Sequence, residues 1–329
     1  MDITRLSPDD EAGCADAAAV EAAALKLDCP EMVPQTPRGI ANGLRYGWDM
    51  HPPEGYLVRD ADGTATGLLR LEVPTYDNTN HTWIDLMVHP DHRGRGVGSA
   101  LIEFSEQRTR ELGRAIVGYG ELDLPKADAF ARRHGFEAKS VEVNRMQDLT
   151  GLDYSVVQDL YDASLAAATG YELVRITGTL PDELLDDMVT LTESINDAPK
   201  DDLDMEDDVY SPERLRAYEQ AQLRSDRSIY RVIAREKATG ALAGHTTVTV
   251  EHERPHIGEQ NDTAVSRAHR GHRLGALVKT AMLLWLREAE PALARIDTWN
   301  AESNSHMIGI NEQLNYRVVA RAIDYQKTL

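Results

Sequence analysis

The chain has 329 residues, 42% hydrophobic and 27% charged, which is the composition of a globular protein of about two domains. Its 55 acidic and 35 basic residues give a formal net charge of −20, the wrong sign for general nucleic-acid binding, and favour the approach of cationic small molecules. The only cysteines, Cys14 and Cys29, lack metal-site spacing, so no disulfide framework and no metal are expected. No apolar stretch is long enough to span a membrane and no secretory pattern opens the sequence, so a cytoplasmic location is expected.

The first half predicts a regular series of elements. A β-hairpin turns at Gly63, between strands at 56–58 and 68–73, and a third strand covers 83–88. A glycine-containing loop follows and opens a helix at about residue 97. A strand at 115–120, a short helix and a last strand complete the series.

The second half predicts the same series after a helical connector. The connector covers 151–170, and the next unit begins at Tyr171. Its strands are predicted at 229–233, 245–250, 261–265 and 294–299. One helix has a single apolar face at helical spacing, formed by Leu274, Leu277, Val278, Ala281 and Trp285.

A constant offset of 177 residues relates the two halves. The pairs are Gly63 and Gly240, Gly67 and Gly244, Asp85 and Asp262, Val88 and Val265, His92 and His269, Arg93 and Arg270, Gly94 and Gly271, and Gly98 and Gly275. Coincidence does not keep so many positions in register, so the chain is a diverged internal repeat. We predict an N-terminal domain over 1–150, the connector over 151–170 and a C-terminal domain over 171–329.

The loop R-G-R-G-V-G at 93–98 carries the first indication of chemistry. It follows a predicted strand and opens a helix, whose first backbone N–H groups and dipole favour a phosphate. Many tight strand-to-helix turns use glycine for geometry alone, so the hexapeptide is compatible with both a phosphate site and a plain turn. No Gly-Lys-Ser/Thr follows, which excludes a Walker loop.

The segment VHPDHRGRGVGSALIEF resembles motif A of the GNAT superfamily of acyl-CoA-dependent N-acyltransferases. The resemblance implies an α/β fold of two tandem domains, each a mixed, mostly antiparallel sheet flanked by helices, similar in build to the mycothiol synthases. It also implies acetyl-CoA as acyl donor. The implied cofactor contacts in the first copy are Val88, Arg93, Gly94, Arg95, Gly96, Val97, Gly98 and Ser99, and in the second copy Val265, Arg270, Gly271, Gly275 and Asn304.

Each copy departs from the family pattern in a different place. The first has the complete glycine loop, and so is the favoured cofactor site, but has Ala131 where many relatives place a general-acid tyrosine. The second has an Asn-rich segment that resembles a CoA-contacting element, through Asn300, Asn304 and Asn311. It places Arg273 at the central glycine of the loop and Asn311 at the tyrosine position.

Amine acylation needs a base for the ammonium proton and an acid for the leaving thiolate. The carboxylates on or beside the relevant strands are Asp85 and Glu121 in the first copy and Glu259 and Asp262 in the second, and His81 is a further candidate. Asp85 and Asp262 occur in both copies, which favours a structural role for them. Tyr119 is a candidate acid, and a core tyrosine is the commoner interpretation.

The sequence predicts a GNAT-type N-acetyltransferase that moves an acetyl group to a primary amine of a small or medium metabolite or antibiotic. The acidic run at 196–208 is interpreted as a solvated loop or as an attractant for a cationic acceptor. The alternative is a non-catalytic sensor that binds acyl-CoA or another ligand through degenerate domains. Neither nucleic acid nor membrane is expected as a partner, and a homodimer is left open.

Overall fold

A computed structural model describes the backbone of all 329 residues and the side chains of all except 305–307. Both repeats contain the same ten elements in the same order, strand-helix-helix-strand-strand-strand-helix-strand-helix-strand. The predicted hairpins and the glycine loop that opens a helix are confirmed. A diverged duplication accounts for this identity of order.

The elements of the first repeat are β1 (Asp2–Arg5), α1 (Glu11–Asp28), α2 (Pro37–Tyr46), β2 (Glu54–Arg59), β3 (Ala65–Glu72), β4 (His81–Val88), α3 (Val97–Glu111), β5 (Ile116–Leu122), α4 (Pro125–Arg133) and β6 (Glu137–Asp148). The connector helix is α5 (Tyr154–Ala167). The elements of the second repeat are β7 (Tyr171–Thr177), α6 (Leu185–Thr192), α7 (Pro212–Arg224), β8 (Arg227–Glu236), β9 (Leu242–Glu251), β10 (Ile257–Val265), α8 (Leu274–Ala289), β11 (Arg295–Ala301), α9 (Ser305–Gln313) and β12 (Tyr316–Thr328).

The residues form two compact units. The first unit comprises Met1–Val143, Lys200–Asp207 and Val319–Leu329. Its sheet has the order β1-β2-β3-β4-β5-β12. Neighbouring strands are antiparallel except β4 and β5, which are parallel. The end of the second repeat therefore completes the sheet of the first unit, with Tyr325 opposite Tyr119.

The second unit comprises Asn144–Pro199 and Asp208–Val318. Its strands follow the order β6-β11-β10-β9-β8-β7, with β10 and β11 parallel and β7 to β10 antiparallel. The Asn144 side chain on β6 donates to the Thr298 carbonyl on β11 at 3.4 Å. The last strand of the first repeat therefore contributes to the second unit.

Each sheet has a hydrophobic core on both faces. In the first unit one core lies under α3 and α4 and includes Leu101 and Phe136, and the other lies under α1 and α2 and includes Leu57. In the second unit the corresponding cores lie under α5 and α8, with Val278, and under α6 and α7, with Ile233. The predicted mixed, mostly antiparallel α/β fold is confirmed. In the described part of the chain, no helix combines the length and the apolar character that crossing a bilayer requires.

A buried lysine interrupts the apolar buried residues of α8. Lys279 on α8 is 3% exposed and occupies the position that Ile102 holds in the first repeat. Its Nζ donates to Oδ1 of Asn311 at 2.8 Å and lies 4.9 Å from the centre of the Tyr316 ring. Burial lowers the pKa of Lys279 to about 7. The folded protein thus holds an amine that is only partly charged at neutral pH.

Replacing Lys279 with methionine is expected to stabilise the protein, and more at pH 7 than at pH 9. In the unfolded chain the amine titrates near pH 10.4, so between about pH 7 and 10.4 the unfolded state binds a proton that the folded state does not. The amine therefore lowers stability as the pH falls through this window. The gain in free energy of unfolding should be larger at pH 7 by about 2 kcal/mol.

Urea denaturation at the two pH values measures this difference. The matched control is Ile102→Met, which changes an equivalent buried position without removing a titratable group and should alter stability by less than about 1.5 kcal/mol at either pH. A gain from Lys279→Met that is equal at pH 7 and pH 9 would show that burial does not depress the pKa of this amine.

Candidate functional site

The glycine loop leaves the first turn of α3 without a cap. Gly94 and Gly96 have φ angles of 74° and 87°, in the left-handed region that favours glycine. Gly96 is the N-cap residue and has no side chain to accept from the first-turn N–H groups of α3. The backbone N–H of Ala100 is the first to bond back into the turn, to the Gly96 carbonyl. The amides of Val97, Gly98 and Ser99 are thus directed outward, as an anion site requires.

Arg93 braces this loop. Its Nε donates to the Val88 carbonyl at 3.1 Å, and its two terminal nitrogens donate to the Asp28 carboxylate at the end of α1, at 2.9 and 2.5 Å. The guanidinium therefore ties the end of β4, the loop and α1 together. The neighbouring Arg95 is exposed.

The second unit repeats this construction. Arg270 donates from Nε to the Val265 carbonyl at 3.2 Å and from a terminal nitrogen to the Asp197 carboxylate at 2.5 Å. Gly271 has a φ of 89°. Arg273, at the position of Gly96, adopts a φ of 56° as N-cap of α8, with no side-chain cap and an exposed side chain. The arginine therefore preserves the backbone conformation of the complete loop.

Gly98 and Gly275 have a packing reason to be glycine. A Cβ on Gly98 would lie 3.1 Å from the Phe130 ring on α4, and a Cβ on Gly275 would lie 3.2 Å from Ile310 on α9. In both units the glycine lets the first turn of the long helix approach the short one. The Ser99 hydroxyl is within hydrogen-bond distance, 3.0 Å, of His134 Nε2 just after α4.

The parallel strands of the first unit separate beside this loop. The last paired residues of β4 and β5 are Ile84 and Tyr119. Glu121 lies beyond them and accepts from the Tyr119 hydroxyl at 2.7 Å and from the Leu122 N–H at 2.9 Å. Burial raises the pKa of Glu121 to about 7, and the charge of Asp85 adds to the rise. Glu121 is thus a carboxyl group that can hold or release a proton near neutral pH.

The other candidates of the first unit are less available. Asp85 is directly opposite Arg70 on β3 and forms an ion pair with it, including a 3.1 Å bond from Nε. Tyr119 is 1% exposed, and burial raises its pKa further from neutrality. His81 is at the start of β4, opposite Ile116 and away from the separation. A structural role for Asp85 agrees with these contacts.

In the second unit the parallel strands stop pairing at an earlier position, and one of them is irregular. Pairing of β10 with β11 ends at Glu259 and Asp297. The register of β10 with β9 then shifts between Gln260 and Thr263, so Asn261 and Asp262 together oppose the single residue Thr247. Such a β-bulge redirects side chains and is common beside active sites.

The two carboxylates of β10 differ in their surroundings. Glu259 is 48% exposed and lies 3.5 Å from Arg227. Asp262 is half-buried and has no hydrogen bond or ion pair to any residue whose side chain the structure describes. Burial, with the charge of Asp208, raises the pKa of Asp262 to about 6. Asp85 and Asp262 therefore share a sequence position but not an environment.

The tyrosine position of the family is closed to a ligand in both units. Ala131, on α4, is fully buried. Asn311 is fully buried as well, between the Lys279 amine and Oδ1 of Asn300, to which it donates at 3.0 Å. Asn304 precedes α9, and its N–H donates to the Ala301 carbonyl at 3.0 Å. Lys279, which donates to Asn311, could not be recognised from the sequence. A single lysine in a helix is usually interpreted as a solvated residue.

The acidic run is anchored at several points. In the first unit, Glu206 exchanges two 2.8 Å hydrogen bonds with Asn78, and the Asp204 N–H donates to Gln326 at 2.8 Å. Most of its carboxylates remain exposed. Asp197 belongs to the second unit, where it accepts from Arg270 and Arg267. The run is therefore a fixed loop with a solvated acidic surface.

The chain resembles known proteins in sequence and in fold. Residues 22–136 match the model of the acetyltransferase (GNAT) family. A mycothiol acetyltransferase of Stackebrandtia nassauensis is 33% identical over 115 residues, which are 35% of this chain and 37% of that protein. The chain thus aligns with little more than a third of that relative. A mycothiol acetyltransferase of Salinispora tropica is 27% identical over 302 residues, covering 84% and 83% of the two chains.

Among solved structures, a tandem GNAT protein from the clavulanic acid biosynthesis pathway, determined without AcCoA, has the same architecture over the whole length. It superposes with a TM-score of 0.81 at 25% identity and covers 99% of this chain and 98% of its own. The match to the family model lies in the first repeat, whereas this structural match extends over both.

Arg273→Gly is expected to raise the free energy of unfolding by about 1 kcal/mol, because a side chain with a Cβ is strained in the left-handed conformation. The reverse effect is expected at the matched position of the first loop, where Gly96→Ala should lower it by about 1 kcal/mol. Urea denaturation of both variants measures these changes. A Gly96→Ala protein as stable as the wild type would contradict the argument, since no neighbouring atom lies within 4 Å to compensate.

Proposed function

Because residues 22–136 match the GNAT family of acetyltransferases and the chain resembles a tandem GNAT protein over its length, we propose that it transfers an acetyl group from acetyl-CoA to a primary amine. The acceptor we propose is a small or medium-sized, cationic metabolite or antibiotic. The observation that carries the proposal is the uncapped first turn of α3, placed by the braced glycine loop where β4 and β5 separate.

The same construction supports a cofactor site in each unit. Outward N–H groups at the start of α3 and α8 would hold the pyrophosphate of acetyl-CoA, and the helix dipoles add to its binding. Arg93 and Arg270 serve this site indirectly, because both hold the loop in shape. When bound, acetyl-CoA supplies a thioester as the acyl donor.

The reaction also needs a group that takes a proton from the acceptor ammonium. Burial raises the pKa of three carboxyl groups near the strand separations, those of Glu121 in the first unit and of Asp262 and Glu259 in the second. Such values suit a base that works near neutral pH. Glu259 is more exposed, and Asp85 is held by Arg70.

The charge of the protein favours a cationic acceptor. A net charge of −20 raises the local concentration of cations, and the exposed carboxylates of the acidic run add to this field. A histone-like protein acceptor would also be cationic, so charge does not decide the size of the acceptor. The small size is proposed from the relatives, which are named for mycothiol.

Native mass spectrometry of the chain titrated with acetyl-CoA tests the cofactor sites. We expect up to two bound molecules per chain, with one lost in Gly96→Glu and the other in Arg273→Glu, because a carboxylate at the helix N-terminus repels the pyrophosphate. The control Gly63→Glu makes the same change at a φ of 89° in the exposed hairpin turn and should bind as the wild type does.

Release of CoA thiol in the presence of a panel of primary amines then distinguishes an enzyme from a sensor. Sustained turnover with any amine excludes a purely ligand-binding protein. Acetyl-CoA binding without turnover on the whole panel would favour the sensor, and absence of binding at near-millimolar acetyl-CoA would remove the basis of the proposal.

A further inference from the structure

Two glycines on β5 leave part of one face of the first unit's sheet without side chains. Their neighbours Val117 and Tyr119 pack in the core under α3 and α4, so Gly118 and Gly120 lie on the opposite face. Trp83 on β4 is the neighbour of Gly118 in the parallel register. A Cβ on Gly118 would lie 2.0 Å from the Trp83 ring, so the indole lies directly over this glycine.

Two polar groups meet over the second glycine. Asp324 on β12 is directly opposite Gly120. A Cβ on Gly120 would lie 3.3 Å from Oδ1 of Asp324 and 3.8 Å from Nε1 of Trp83. Neither the indole N–H nor the carboxyl group has a hydrogen-bond partner among the residues that the structure describes in full. A donor and an acceptor therefore border the same point, and both are available to a ligand.

The Asp324 carboxyl group lacks a counterion in the described part of the chain. Its side chain is half-buried, and burial alone raises its pKa to about 6. The nearby arginine on the same face, Arg70, is paired with Asp85. A half-buried carboxylate without a partner is unfavourable at neutral pH, and a bound cation would remove this cost.

We propose that the first unit binds an alkylammonium ion at this point, with the ammonium against the Asp324 carboxylate and its methylene groups along the indole of Trp83. The indole contributes apolar contact and the attraction of its ring for a cation. A metal ion does not fit, because one carboxylate is too few ligands. The described residues also contain no cluster of three or more His, Cys, Asp or Glu side chains that could hold one.

The acidic loop of the first unit is fixed beside this site. Gln326, two residues after Asp324 on the same face of β12, accepts from the Asp204 N–H at 2.8 Å and donates to the Asp204 carbonyl at 3.2 Å. The exposed carboxylates of the loop at 200–207 add negative charge there. Glu72, also exposed, is directly opposite Trp83 on β3. This distribution of charge favours the entry of a cation.

The corresponding row of the second unit has no such site. Its residues are Thr249, Glu259 and Asp297, in the cross-strand positions of Glu72, Trp83 and Gly118. Glu259 lies 3.5 Å from Arg227, and Asp297 pairs with Arg295. The carboxylates of that row therefore have cations of the protein beside them, whereas Asp324 has none among the described residues.

On the basis of the proposed function, the site favours acceptors with two amines. An ammonium that is paired with Asp324 keeps its proton, and a protonated amine has no lone pair with which to attack a thioester. A molecule held here therefore reacts through a second amine. The first ammonium then anchors the acceptor and lowers its KM.

The indole N–H signal of Trp83 in a ¹H–¹⁵N NMR spectrum tests the site directly. The chain has four tryptophans, and the indole signal lost in Trp83→Phe identifies the one needed. At pH 8, where the Asp324 carboxyl group is ionised, diaminobutane and butylamine should shift this signal, and butanol should leave it in place.

Asp324→Asn should weaken binding of both amines by about tenfold or more. Gly120→Ala should also weaken it, because the added Cβ fills the space between Asp324 and Trp83. The control Glu103→Gln removes one negative charge from an exposed position of α3 and should bind as the wild type does. A signal that neither amine shifts, or that shifts at the same amine concentrations in Asp324→Asn, overturns the site.

Kinetics with acetyl-CoA test the selection of two-amine acceptors. Among the acetylated amines of the panel, those with a second ammonium should have a KM on the order of tenfold lower than matched monoamines, and Asp324→Asn should abolish the difference. Equal KM values in the wild type overturn this selection. A wild type that acetylates no amine overturns the proposed function instead, and the NMR titration still decides whether the ammonium site exists.

Discussion

The structure depends on how the chain passes from a strand into a long helix without capping that helix. A residue in the left-handed conformation, Gly96 or Arg273, ends the loop, and no side chain occupies the first-turn amides. Ordering such a loop costs conformational entropy, which its contacts must offset. The arginine brace supplies such contacts in both units, by joining a strand-end carbonyl to a carboxylate of an earlier helical segment.

Duplication allowed the surroundings of these loops to diverge while their backbones stayed alike. The first unit kept the glycine at the end of the loop and an ion pair between β3 and β4. The second replaced the glycine with arginine and the β3 arginine with threonine. It also buried groups that the first unit lacks, since Ile102 corresponds to Lys279 and Leu68 to His245. Burial of a polar group in place of an apolar one is unfavourable for stability, so these two exchanges are consistent with a functional constraint on the second unit.

The order of elements could be predicted from the sequence because it follows from local patterns. The constant offset of the glycines and the strand and helix periodicities give the same series twice. The resemblance inferred from the glycine loop is confirmed by the match of residues 22–136 to the GNAT family model. The pairing of β5 with β12 could not be predicted, since it joins residues some 200 positions apart with no local pattern. For the same reason, the ion pair of Arg93 with Asp28 could not be predicted. The two residues are 65 positions apart and are brought close only by folding.

The difference between Asp85 and Asp262 is the most consequential feature that the sequence could not predict. Identical residues at equivalent positions predict the same role. What separates them is a cross-strand partner and one extra residue in a bulge, neither of which changes the local motif. The acidity of the surroundings connects this difference to the proposed function. Burial raises the pKa of Asp262 to about 6, and the charge of Asp208 adds to the rise. In the proposed function, negative charge that attracts a cationic amine would therefore also favour the protonated form of this carboxyl group, so the two effects share one source.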